Sequence, residues 1–255
     1  MTFSLLKFPL SGILSFLVLN AVSIILYPGY DKCSYIDGDD CKSNTYSFKL
    51  NFFSELGSTF TNTDDDYPPI NEGGHNNEQN TFSMILFNSS LVIVGLSIVF
   101  FYNSFYKLFR TKKSDNSIIL LGNVSRLIGI ITGVMFVGIG LAPHDVNFPL
   151  HLFFANGAFL LLFVLSIFHA LILFNSSLFP KSYGIGYIIF SILLVIYVII
   201  IFFGPQIGPG LEFTRGDLIF QVVAQKVIIL IFMFSMLYQL YGIRSLINNS
   251  TIKFT

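Results

Sequence analysis

Apolar residues fill six long stretches of the chain, Phe8–Tyr27, Phe82–Phe109, Ser117–Leu141, Pro149–Phe174, Tyr183–Phe203 and Leu218–Gly242. Crossing the hydrocarbon of a bilayer takes about 20 mostly apolar residues in a helix. Each stretch therefore predicts a transmembrane helix, since a helix satisfies its own backbone polar groups where no water can. The predicted fold is an all-α integral membrane protein, one domain over residues 1–255 with six helices in one bundle. The first stretch also has the layout of a signal peptide, with Lys7 before it and the small residues Ala21 and Ser23 within it. Its length and the absence of a small-x-small cleavage site predict a retained helix instead.

The only sizeable polar segment is the loop from Pro28 to about Thr81. Its second half, Thr61 to Asn80, is acidic and carries Pro68, Pro69, Gly73 and Gly74, the character of a surface loop. The triplet Asp64-Asp65-Asp66 lacks the alternating ligands and glycine of a calcium loop and reads as a solvated acidic face; His75 reads as a bystander. The first half differs, because Tyr46 to Gly57 mixes aromatic with polar residues. It predicts a short element on the membrane surface or tucked among helix ends. Cys33 and Cys41 share this loop, giving a disulfide if the loop faces an oxidising compartment and two loop thiols if it does not.

Polar residues inside the apolar stretches mark helix faces. Gly122, Gly129, Gly133 and Gly140 are spaced seven, four and seven apart and form one narrow stripe on the third helix. Gly129 and Gly133 make a small-xxx-small pair that lets helix backbones approach. Arg126 sits at the edge of that face and needs an inward carbonyl or acid, or a route to the headgroups. On the fourth helix His151, Ala155, Ala158, Ser166 and His169 share a face, and Asn156 lies away from it. His151 and His169 are about 27 Å apart along a helix, so one metal ion cannot take both. His169 reads as a histidine hydrogen-bonded to a neighbouring helix. On the last helix Gln221 and Gln225 share a face, and Lys226 points elsewhere. A cation in hydrocarbon costs a few kcal/mol unless paired; the candidate partners are Glu55, Asp145, Glu212 and Asp217.

Composition and charge sharpen this picture. The chain is 53% hydrophobic and 11% charged, with a mean hydropathy of +0.72, against roughly 25% charged in soluble domains. Thirty phenylalanines and no tryptophan leave the interfacial belt to the twelve tyrosines. The formal net charge of zero points to no nucleic acid. If the N-terminus is cytoplasmic, Lys7, Lys107, Arg110, Lys112, Lys113, Lys181, Arg244 and Lys253 lie inside, and Lys32, Lys42, Lys49 and Arg215 outside. The excess of inner cations predicts both termini in the cytoplasm and the long loop outside. The cell membrane is the expected location.

Candidate chemistry gathers where Gly138-Ile139-Gly140-Leu141-Ala142-Pro143-His144-Asp145 leads through Pro149 to His151. Two histidines, an acid and two prolines break the apolar pattern there, and ionisable groups beside a span either pair or work. Together with Ser54, Glu55 and Lys226 they form the candidate cluster at the outer helix ends. This order of features, with Phe53-Ser54-Glu55-Leu56-Gly57 in the first outer loop and Pro143, Asp145 and His151 after the third helix, resembles the six-helix membrane family of domain of unknown function 998 (DUF 998). More distantly it is similar to the Frag/DRAM/Sfk-type membrane proteins. The first family has no settled activity; the second implies trafficking and lipid remodelling of anchored proteins. Glu55-Leu56-Gly57 stands where the distant group has Asp-Thr-Gly, and a long acidic insertion follows, which weakens transfer of that function.

Three functions follow. In the first, a non-enzymatic protein binds membrane lipids, or a protein partner through its outer loop, and Glu55, Asp145, His151 and Lys226 hold that loop on the helices. In the second, an intramembrane lipid hydrolase or acyltransferase uses Ser54 as nucleophile, His151 as base and Asp145 as orienting acid, or a metal on His144, His151 and Asp145. No nucleophile elbow or HExxH site supports it. In the third, a small-solute or proton-coupled carrier uses Lys226, Arg126 and His169, although no acid lies within a span and the halves show no repeat. None of the motifs calls for a cofactor. The lipid-associated or partner-binding reading leads.

Overall fold

A computed structural model describes residues 3–33, 36–61, 78–111, 115–208 and 211–248. The aspartate triplet and His75 lie outside them. A π-helical turn, Phe3–Lys7, leads into six helices: α1 Phe8–Leu26, α2 Thr81–Thr111, α3 Asn116–Leu141, α4 Phe148–Asn175, α5 Lys181–Phe203 and α6 Arg215–Asn248. All six are long and apolar enough to cross a membrane. The chain is an integral, multi-pass helical membrane protein, as the apolar pattern predicts. Its spans agree closely with the predicted ones, except that α6, Arg215–Asn248, runs past Leu218–Gly242 at both ends.

Helix ends follow from local chemistry. Pro149 stands in the first turn of α4, where a missing N–H costs nothing, and the Asn147 side chain accepts from Leu150 N at 3.0 Å. Thr214 and Asp217 cap α6 reciprocally: Asp217 accepts from Thr214 N at 2.9 Å, and Asp217 N donates to the Thr214 hydroxyl at 3.2 Å.

Consecutive helices pack side by side, and α6 returns to α1 and to the N-terminal turn, closing the bundle. Aromatic rings fill its middle: Phe232 of α6 stacks on Phe136 of α3 at 6.1 Å and on Phe190 of α5 at 6.2 Å. The glycine stripe of α3 faces α2. Gly122 meets Tyr106, Gly129 meets Tyr102, Gly133 meets the Gly95 carbonyl and Gly140 meets the Asn88 carbonyl. From α2, Ser83, Ser90, Ser97 and Ser104 recur every seven residues and all are buried. Three of them line the α1 side: Ser83 pairs with Ser23 at 2.7 Å, Ser90 accepts from Asn20 at 3.0 Å, and Ser97 fits against Gly12. Small residues thus allow close approach on both sides of α2, and short polar side chains satisfy one another there.

At one end of the bundle the chain between α1 and α2 folds over the helix ends. It carries a two-stranded antiparallel ladder, β1 Tyr30–Asp31 with β2 Lys42–Ser43, and a 3-10 turn, Phe53–Gly57. A disulfide joins Cys33 to Cys41, so the bridged alternative holds. Arg215 at the start of α6 donates to the Asp37 carbonyl and the Asp40 carboxylate within that ring, holding the Asp40 carboxyl below its ordinary range. Gly38 has φ +119°, and an added Cβ there would sit 2.5 Å from the Arg215 guanidinium. The left-handed backbone and the close contact both require glycine.

Residues 60 and 79 form an isolated antiparallel bridge, with Thr61 N bonded to the Glu78 carbonyl at 3.0 Å and Asn80 N to the Thr59 carbonyl at 2.9 Å. Thr61 and Glu78, which flank segment 62–77, are therefore held side by side. Replacing that segment with a linker of about four residues, the length of a hairpin connection, is expected to leave thermal unfolding in detergent unchanged within about 0.5 kcal/mol. A clear drop in stability would mean that the acidic segment itself holds the loop down.

Candidate functional site

The site is built where the Phe53–Gly57 turn settles on the loop end of the bundle. Aromatic and polar residues alternate irregularly from Tyr46 to Gly57, and the buried Leu50, Leu56 and Tyr46 anchor the segment. Its carbonyls are collected by α2 and the residue before it: Asn80 donates to Leu56 O at 3.1 Å and Ser58 O at 3.0 Å, Ser83 to Leu56 O at 3.0 Å, and Asn88 to Gly57 O at 3.0 Å. The predicted short element is thus tucked among helix ends.

Glu55 stands at the centre of a clasp. Its Oε1 accepts from Lys32 Nζ at 2.8 Å and from Phe52 N at 2.8 Å, and its Oε2 accepts from the Asn51 side chain. Lys32, only 2% exposed, also donates to the Leu50 carbonyl at 2.7 Å. Lys226 enters the same clasp from α6. Its first partner is none of the four candidate acids but the Asn51 backbone carbonyl, at 2.6 Å, and its ammonium lies 5.4 Å from the Tyr46 ring centre and 5.3 Å from that of Phe53. Asn51 O accepts a second bond from Tyr46 OH at 2.9 Å, using both lone pairs of one oxygen. Burial, and then the nearby Glu55 carboxylate, push the Tyr46 hydroxyl well above its ordinary value, so it stays a donor. Glu55 acts on Lys226 through its field, whereas Asp217 caps α6.

Asp145 has a separate task. Its Oδ2 accepts from Thr59 N at 2.8 Å, from the Thr59 hydroxyl, and from Phe60 N at 3.2 Å. It ties the end of the docked loop to the α3–α4 turn. His151 is buried, and its Nδ1 lies 2.8 Å from the Ala142 carbonyl. A carbonyl only accepts, so Nδ1 carries a proton. The backbone thus fixes which way that nitrogen faces. The His144 ring stands edge-on to it at 5.8 Å. Among the described residues no group of three His, Cys, Asp or Glu side chains, His144, Asp145 and His151 included, is placed to hold a metal ion.

Ser54 and His151 meet at a cavity. A volume of about 210 Å³ opens between the Phe53–Gly57 turn and the loop ends of α4, α5 and α6; its wall includes Ser54, His151, Asn156, Gln221 and Gln225. Beside it lies an apolar cavity of about 60 Å³ in the bundle, walled by Phe16, Phe87, Phe136 and Phe232 among others. Ser54, His151, Ala155, Phe159 and Gln225 border both. Asn156, set apart from the His151 face by its helical angle, still reaches the larger cavity.

Arg126 and His169 find partners within the bundle, although among the described residues His169 Nε2 is buried without a hydrogen bond. Arg126 Nε donates to the Asn103 side chain at 2.9 Å, and its guanidinium lies 4.8 Å from the Tyr106 ring centre. His169 Nδ1 pairs with Tyr102 OH of α2 at 3.2 Å and its ring stacks on Phe105 at 4.5 Å, the neighbouring-helix hydrogen bond expected for it. Sequence reasoning passed over Asn51 and Lys32. A polar residue inside Leu50-Asn51-Phe52-Phe53 was the available signal for the first, and nothing local distinguishes Lys32 from Lys42 or Lys49. Compared with family models, with curated proteins and with solved structures, the chain matches none of them.

Proposed function

We propose that this multi-pass membrane protein binds a membrane lipid at its loop end and catalyses no reaction on it. One observation carries the reading: the amphipathic cavity of about 210 Å³ and the apolar cavity of about 60 Å³ share a wall of five residues. A polar head and a hydrocarbon tail need such a pair of adjoining spaces. Glu55, Lys32, Asn51 and Lys226 support it as a clasp that roofs the cavity, since their charges are answered by one another and by backbone. The preponderance of cations at the other end supports termini in the cytoplasm and the loop outside, and the Cys33–Cys41 disulfide fits an oxidising compartment there. Membership of the domain of unknown function 998 family belongs to the same proposal and rests on the residues quoted for the resemblance.

Ala155→Phe tests it, because the added ring projects from the shared wall into both cavities. The wild-type protein is expected to retain about one lipid per chain through detergent extraction and native mass spectrometry. The variant is expected to lose it while remaining monodisperse. A wild-type protein that carries no lipid would end this reading.

The shared wall also favours the hydrolase as a second reading, since Ser54 and His151 border the same space. Incubating the wild-type protein with extracted lipids separates the two. Binding alone predicts no product; product that disappears in Ser54→Ala and His151→Ala would establish the enzyme.

A further inference from the structure

Resting on the lipid-binding reading, we infer that the ligand is an uncharged, hydroxyl-bearing amphiphile that enters with a single hydrocarbon chain, of the monoacylglycerol class. Charge excludes the common alternatives. Among the described residues, Glu55 is the only Asp, Glu, Lys or Arg side chain on the wall of either cavity. A phosphate head taken out of water needs a cation or a dense set of donors, and a carboxylate on the wall repels it. The Lys32 and Lys226 ammonium groups bond to Glu55, Leu50 O and Asn51 O, and neither residue borders either cavity. A cationic head fares no better, because the Glu55 charge is already paired with Lys32, and Phe52 N and Asn51 take two more of its acceptor sites.

The hydrogen-bonding groups left over match a hydroxyl. Gln225 accepts from Phe53 N through Oε1 at 2.9 Å, which leaves its NH2 as a donor. Gln221 donates through Nε2 to Ile200 O at 3.2 Å and Pro205 O at 2.7 Å, which leaves its Oε1 as an acceptor. Backbone partners of fixed polarity settle both amide orientations. The two residues lie one turn apart on the same face of α6, roughly 5–6 Å between Cβ atoms. They therefore offer one donor and one acceptor to the cavity. A hydroxyl uses both, donating to Gln221 and accepting from Gln225, and Ser54 and Asn156 can serve a second hydroxyl. A phosphate oxygen has no hydrogen to give Gln221, and an ammonium has no lone pair for Gln225. The tail follows from size: about 60 Å³ walled by phenylalanines admits part of one chain and not two.

The test uses the full chain in phosphatidylcholine nanodiscs at pH 8, above the ordinary range of histidine, with 1-monooleoylglycerol, 1-oleoyl lysophosphatidic acid and sphingosine as probes. Saturable binding of monooleoylglycerol is expected, at least about ten-fold tighter than either charged probe, the scale of one hydrogen bond to a charge left unanswered. Gln225→Glu keeps the acceptor for Phe53 N, removes the donor, and is expected to weaken monooleoylglycerol about ten-fold. Equal or tighter binding of lysophosphatidic acid or sphingosine by the wild-type protein would overturn the neutral head while leaving lipid binding intact. Monooleoylglycerol binding unchanged in a folded Gln225→Glu would overturn the assignment of the donor. No saturable binding of any probe, with no co-purified lipid, would remove the reading on which the inference rests.

Discussion

Glu55→Ala is expected to cost about 3–5 kcal/mol of stability, the range for removing one member of a buried ion pair. The pair is well enclosed, with the Lys32 side chain 2% exposed and that of Glu55 13% exposed. Truncation takes the carboxylate from the Lys32 ammonium, which keeps its bond to the Leu50 carbonyl, and strips the acceptor from Phe52 N and from the Asn51 side chain. Asn51 is the residue whose carbonyl holds Lys226 and Tyr46, so a loosened Asn51 releases α6 from the loop as well. Loss of the clasp should therefore appear twice: as a lower melting temperature in detergent, and as faster proteolysis within residues 44–60 at temperatures where the helices persist. Glu55→Gln keeps one acceptor and loses the charge, and its effect should fall between wild type and alanine. Lys32→Met alone leaves the carboxylate buried with its two remaining donors, Phe52 N and Asn51, and should be costly too. If Glu55→Ala melts with the wild-type protein, the ion pair is not what keeps the loop docked.

That clasp marks the boundary of what the chain discloses by itself. The six spans are legible because a bilayer imposes length and apolarity on each one locally, and the glycine stripe because period and residue size alone define a close-packing face. His169 was legible for the same reason, as a polar group on an inward stripe. The cluster proposed from Ser54, Glu55, Asp145, His151 and Lys226 is different. Its members do lie at one end of the bundle, yet they take different tasks: a clasp around Glu55 and Lys226, an anchor at Asp145, and a cavity wall where Ser54 and His151 join Glu55. The partners that decide this are backbone atoms: Asn51 O for Lys226, Phe53 N for Gln225, Thr59 N for Asp145 and Ala142 O for His151. Every residue carries a backbone carbonyl, and every residue but proline an N–H, so residue types contain no sign of which one will be used. Three of those four contacts also join residues 86 to 175 positions apart, where the register of the loop on the helices depends on the whole fold. An acid near a lysine is a pattern in sequence; a carbonyl near a lysine is not.

Gly133→Leu is expected to destabilise the protein by about 3 kcal/mol or more, the upper end of overpacking costs, by prising α3 from α2. The contact there is backbone against backbone. A Cβ on Gly133 would stand 2.5 Å from the Gly95 carbonyl oxygen and 2.6 Å from a Val99 methyl, and a Cβ on Gly95 would stand 2.5 Å from the Gly133 carbonyl. Neither carbonyl can turn aside without losing its own helix bond, so the helices must separate as rigid bodies. Inside a bilayer the apolar surfaces so exposed gain lipid neighbours in exchange; what is lost is the close packing, and with it the alignment of Gly129 against Tyr102 and of Gly140 against the Asn88 carbonyl. The last of these matters for the site, because Asn88 donates to Gly57 O and so helps to seat the turn that carries Ser54 and Glu55. A lesion in the middle of α3 should thus reach the loop end and loosen lipid retention together with stability. Gly157 supplies the control, since a Cβ there meets only the flexible end of Met135, at 3.5 Å, and Gly157→Ala should melt within about 0.5 kcal/mol of wild type. Equal melting of Gly133→Leu and Gly157→Ala would show that the stripe does not hold α2 against α3.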